Sequence, residues 1–128
     1  MKELLEEFRK RCPGILGSLV LDRDGGLVEQ ELPSFLELDI VQFKGQLMDM
    51  YLAMEPVVQK SSKLRSSNKY DIILKFDSII IYCRVLQAGF LIVLAEQDAN
   101  IIKLRSLSNL TIRKLDSLLH KQKEATNV

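Results

Sequence analysis

The side chains here that could do chemistry are few and scattered. His120 is the only histidine and Cys12 and Cys83 the only cysteines in 128 residues. A metal site or a general base needs several such groups at fixed spacing. No metal spacing links these, so His120 reads as a surface side chain near the end of the last helix, and the cysteines as two free thiols in a reducing compartment, one disulfide being the alternative. A Ser-His-Asp arrangement would have to recruit the same His120, and no nucleophile elbow is present. Asp22-Arg23-Asp24-Gly25-Gly26 imitates the start of a calcium loop. Glycine occupies its fourth and fifth positions, however, and Pro33 its twelfth, where a bidentate Glu belongs. No glycine-rich loop precedes a helix N-terminus to cradle phosphate. These absences point to a binding protein with no cofactor and no metal.

Composition agrees. Apolar residues make up 47% and charged residues 27%, ordinary for a globular domain, and one domain suffices for this length. A formal net charge of +1 does not favour a nucleic-acid ligand. The charge is uneven: residues 1–57 hold 11 acids and 6 bases, residues 58–128 hold 6 acids and 12 bases. Solvated helix faces explain that split; the alternative is a basic end that meets an acidic or phosphate-bearing partner. The charged, amphipathic start MKELLEEFRKRC has no signal-peptide core, and no apolar stretch is long enough for membrane insertion. The expected location is cytoplasmic.

The elements that would carry a binding surface follow from periodicity. Lys2 to Cys12 suits a short helix stopped by Pro13-Gly14. Ile15 to Leu21 and Leu27 to Leu32 suit strands of a hairpin, because Asp-Gly and Gly-Gly supply the backbone conformations that tight turns require. Between Tyr70 and Glu96 the runs YDIILKF, SIIIYCRVL and FLIVLAE are separated by two and three residues. Connections that short force an antiparallel meander, since a parallel crossover needs about a dozen residues. The middle run is apolar on both sides of the pleat, so helices must cover both faces of the sheet. Asn100 caps a last helix running to about Gln122, with a disordered tail expected over 124–128.

The long helix, Asp39 to about Lys63, is the most informative element. Asp39 with Gln42 reads as a capping box; Ser34 with Glu37 offers an earlier, weaker start. Ile40, Phe43, Leu47, Met50, Tyr51, Met54, Val57 and Val58 form one core-facing stripe. Val41, Met48 and Leu52 form a second patch about 100–140° further round, more than a helix lying on a sheet needs. Pro56 should kink or end the helix nearby, and the basic stretch 59–69 follows it.

This order of elements resembles the Roadblock / dynein light chain family over nearly its whole length. GILGSLVLDRDGGLVEQ is similar to its first hairpin in Gly17, Asp22, Asp24 and Gly25. ANIIKLR is similar to its Asn-x-Gly-x-x-Arg in Asn100 and Arg105, with Ile102 where the family usually has Gly. Longin and profilin-like domains share related layers. The resemblance, to a bacterial or archaeal mutual-gliding-regulator-like branch, implies a single α/β domain over 1–123. It is a three-layer α/β/α sandwich: a five-stranded antiparallel sheet with the long helix on one face and the N- and C-terminal helices on the other. It implies a homodimer with paired long helices and strand Tyr70–Phe76 pairing with its twin. It also implies a non-catalytic regulator or adaptor of a small Ras-like GTPase, or an assembly subunit with no GTPase partner. The expected dimer interface is Val41, Met48, Leu52, Ile73 and Lys75, and the expected GTPase-contact residues are Lys44, Gln46, Asp49 and Glu55.

Overall fold

A computed structural model describes residues 1–60 and 71–126, apart from the side chains of 58, 59 and 123–126. Tyr70 and most of the basic 59–69 stretch lie outside the described residues. The chain runs α1 (Lys2–Arg11), β1 (Ile15–Asp22), β2 (Leu27–Glu31), α2 (Ile40–Lys60), β3 (Asp71–Lys75), β4 (Ile79–Val85), β5 (Gly89–Glu96) and α3 (Ile101–Thr126). α3 runs on to Thr126, past the stop expected near Gln122, and takes in 124–126 of the segment read as a tail.

Local chemistry starts and stops these elements where the residues predict. Gly14 and Gly25 have φ of 95° and 87°, a left-handed conformation that only glycine adopts without strain, so the chain turns after α1 and within the β1–β2 hairpin. The Asp39 carboxylate accepts the Gln42 N–H at 3.1 Å, and the Asn100 side-chain oxygen accepts that of Lys103, also at 3.1 Å. Both are N-caps, which satisfy donors that a helix cannot bond internally. The weaker start at Ser34 is not used. α2 passes through Pro56 and is described as far as Lys60, the expected end near 63 lying outside the described residues, with one backbone donor missing at the proline.

The sheet is antiparallel throughout, in the order β2-β1-β5-β4-β3. β5 lies at its centre, and seven of its eight residues are buried. Alternate side chains serve opposite layers. Leu91 and Val93 pack with Leu5, Phe8, Leu104, Leu115 and Leu119 under α1 and α3. Phe90 and Ile92 pack with Leu47 and Tyr51 under α2. One long helix thus covers one face and the terminal helices cover the other.

Candidate partner-binding surfaces

The residues that could have done catalysis are spent on structure or stand apart. Asp22 accepts the Asp24 N–H at 2.9 Å and the Gly26 N–H at 2.8 Å, closing the hairpin turn with its own carboxylate. Arg23 reaches the Leu86 carbonyl at 3.4 Å and lies over the Phe90 ring. His120 borders an open depression of ≈ 350 Å³ that both residues also line. The carboxylate one turn before it, Asp116, accepts the backbone N–H groups of Gln87 and Ala88 and so caps the β4–β5 turn. Cys12 sits in the core under α1 and α3, Cys83 in the core under α2, with the sheet between them. Burial pushes the Cys83 thiol up to about 12, which removes its thiolate at neutral pH. Among the described residues no group of three His, Cys, Asp or Glu side chains could hold a metal ion.

The exposed apolar surface is concentrated on α2. Leu47 and Tyr51 are buried, while Phe43, Met48 and Met50 are half-buried against the same core. Val41 is 74% exposed and Leu52 59%, and Met54 and Val57 are exposed as well. Sequence reasoning had Met54 and Val57 facing the sheet and Met48 in the spare patch. Met48 instead packs toward the sheet beside Gly25, close enough that a Cβ there would lie 2.9 Å from its Cγ. The reason is reach. A 21-residue helix is about 31 Å long, whereas five strands span about 19 Å and an eight-residue strand about 26 Å. A helix running along the strands or straight across them is therefore longer than the sheet it covers, and Met54 and Val57 near its C-terminal end stand exposed. The long, flexible Met48 side chain meanwhile bends down into space that only a glycine leaves open. Gly45 lies on the same helix face as Val41 and Leu52, and nothing stands within 4 Å of where its Cβ would be.

β3 forms one edge of the sheet, so alternate backbone groups along it face outward. Ile72 packs toward α2 and Ile73 toward α1 and α3. Lys75 is exposed, and so is Phe76 just beyond the strand, 56% accessible. Phe76 has the parity of Ile72, which puts it on the α2 side of the sheet. The expected GTPase-contact residues do not converge. Lys44 and Glu55 are half-buried on the flank beside Met48, while Gln46 and Asp49 are exposed on the other flank.

Asp71, at the start of β3, makes a long-range tie that periodicity missed. Its carboxylate accepts the Tyr82 hydroxyl at 3.0 Å and Arg105 Nε and Nη2 at 2.7 and 3.2 Å, with Arg84 Nη1 4.0 Å away. Burial alone would raise its pKa. The hydrogen bonds from Arg105 and Tyr82 and the charges of Arg105 and Arg84 outweigh that and hold it below the ordinary carboxylate range. The edge strand is thereby tied to α3. The available signal was Arg105, five residues after the helix cap Asn100.

No family model matches the chain, and no curated protein matches it in sequence. Its backbone does match solved structures. A Roadblock/LC7 domain from Streptomyces avermitilis superposes with a TM-score of 0.78 at 15% identity, covering 94% of this chain and 98% of that one. The chain has the Roadblock/LC7 fold. An MglB in a tetrameric arrangement matches this Roadblock fold with a TM-score of 0.77 at 13% identity, over 93% of this chain and 87% of that one. Myxococcus xanthus MglB matches it at 0.76 and 12% identity, over 94% of each chain. On this Roadblock scaffold, Val41 and Leu52 of α2 stand exposed and β3 forms a sheet edge.

Proposed function

We propose that this protein is a non-catalytic, homodimeric adaptor or regulator of a small Ras-like GTPase, self-associating through α2 and the β3 edge. The observation that carries the reading is the pair of surfaces left exposed among the described residues. The exposed Val41 and Leu52 with Gly45, and the free β3 edge with the exposed Phe76, lie on the same side of the sheet. Burying Val41 and Leu52 would contribute about 1.5–3 kcal/mol each at most. An interior helix glycine costs about 1 kcal/mol against alanine, and it earns its place where another backbone must approach closely. Two copies related by a two-fold axis would meet through the same residues on both sides, and β3 would continue the sheet into its twin. The tetrameric arrangement of a structurally similar MglB supports self-association in this fold. The GTPase partner rests on the family resemblance.

Light scattering tests the dimer. The wild type should weigh twice 14.6 kDa, and Val41→Glu with Leu52→Lys should give a folded monomer. A monomeric wild type, or a double variant that stays dimeric, overturns this interface. Titration against the Ras-like GTPases of the source organism, in both nucleotide states, tests the partner. If none binds, the GTPase role is wrong. One observation favours the second reading, an assembly subunit with no GTPase: Lys44, Gln46, Asp49 and Glu55 lie on two separate flanks of α2. That reading predicts co-purification with a larger complex and no effect on GTP hydrolysis.

A further inference from the structure

The opposite layer holds a second unfinished surface. The inner face of α3, with Leu104, Ser108, Leu115 and Leu119, is buried on the sheet and α1. Its outer face carries Ile102, 79% exposed, and Leu110, 65% exposed. They stand eight residues apart, about 12 Å along the axis and about 80° around it. Between and beyond them lie Ser106, Asn109 and Ser117, exposed and short, which leave a shallow track along the helix. An exposed isoleucine in the first turn of a helix gains nothing from propensity or burial. It stands where the related sequence pattern has glycine.

Charge on this face is predominantly basic, with Glu3 and Glu7 of α1 at its border. Lys103, Arg113, Lys114 and Lys121 are exposed. Asp116 is the one acidic side chain described on α3, and it is turned away to cap the β4–β5 turn. Arg105 is engaged by Asp71. An open depression of ≈ 520 Å³, lined by Glu3, Leu4, Arg113, Lys114 and Leu118 among others, extends the face toward α1, with two bases against one acid.

We infer that the outer face of α3 docks an acidic amphipathic helix of a partner protein. Its apolar side chains sit on Ile102 and Leu110, and its carboxylates face Lys103, Arg113, Lys114 and Lys121. Charge complementarity sets the sign of the partner and steers its approach. A short amphipathic helix laid along such a track reads apolar anchors at helical spacing. An anionic bilayer fits less well. A helix that lies in a membrane surface buries a broad apolar face, and the continuous apolar stripe of α3 is already consumed by the sheet. A second copy fits less well too. α1 carries three acids against four bases, and α2 two against two, so neither offers an acidic helix. The site faces away from α2, so its occupancy is independent of the dimer proposed above.

Anisotropy measurements on the full chain test this with a labelled peptide of roughly 18 residues, five helical turns. The peptide bears Leu at i, i+4 and i+8 and Glu on its other faces; a control has every Glu replaced by Lys. The acidic peptide should bind and the basic one should not. Binding should weaken about tenfold between low salt and about 0.3 M, where screening is severe. Ile102→Ser with Leu110→Ser, and separately Arg113→Glu with Lys114→Glu, should each weaken it about tenfold with unchanged circular dichroism. Amide shift changes in the wild type should map to α3. Equal binding of both peptides, no binding of the acidic one, shifts confined to α2, or binding only to phosphatidylserine vesicles would each overturn the proposal.

Discussion

The two faces of the sheet solve the same packing problem to different degrees. On one, two helices close the layer, and Leu5, Leu104 and Leu115 are wholly buried beneath them. On the other, a single helix does the work alone. Only Leu47 and Tyr51 of its described side chains are buried, and four large apolar residues of α2 remain in water. The closed layer consumes its apolar stripe in folding, whereas the open layer keeps part of it for something else. The buried stripe of the closed layer and the exposed stripe of α2 should therefore respond to mutation separately.

The sharpest break between them should come from truncating leucines. Leu115→Ala in the closed layer should cost about 2–5 kcal/mol in urea unfolding, since it leaves a cavity among side chains that cannot relax into it. Leu52→Ala in the open layer should stay within about 0.5 kcal/mol for the monomer while weakening self-association. If both cost the same, the two layers do not differ in the way described.

Asp71 stitches the edge strand to α3, so it reports on the junction between that edge and the closed layer. Asp71→Asn should lower Tm by about 5 °C. Because the folded carboxylate lies below its unfolded pKa, its contribution is fully present above the unfolded value and is lost as pH falls through the folded one. Tm of the wild type should therefore drop below about pH 4, and part of that drop should vanish in Asp71→Asn. An identical acid limb in the two proteins would remove Asp71 from this role.

The smallest effect sharpens the comparison most finely. Gly45→Ala should raise monomer stability by about 0.5–1 kcal/mol, since the site is open and alanine is the better helix former. Gly45→Leu should fold equally well but fail to dimerise, read by light scattering. A dimer indifferent to leucine there would mean that no second helix approaches that face.

Much of this was legible from residue order. Asp39, Asn100, Gly14 and Gly25 sit where capping and turn chemistry place them. The meander was readable because its turns are too short for anything but antiparallel pairing, and the apolar middle run correctly required cover on both faces. The candidate surface was legible only in part. Val41 and Leu52 stand exposed as the angular pattern requires, but Met48 belongs to the core side, and Met54 and Val57, which the pattern sets on the sheet, are exposed. Ile73 faces the α1 and α3 layer. Angle around a helix axis cannot report where along that axis the supporting sheet ends.

What the sequence determined by itself was the local part: which segments are helix or strand, where the capped helices start and the chain turns, and that the sheet must be buried on both sides. Those properties depend on backbone sterics and on side chains a few residues apart. Only the tertiary structure decided which apolar side chains remain in water and which charges meet. It carried Asp71 to Arg105 across 34 positions, turned Asp116 away from the outer face of α3, and left α2 longer than the sheet beneath it. Those outcomes depend on distances between elements that no local period encodes.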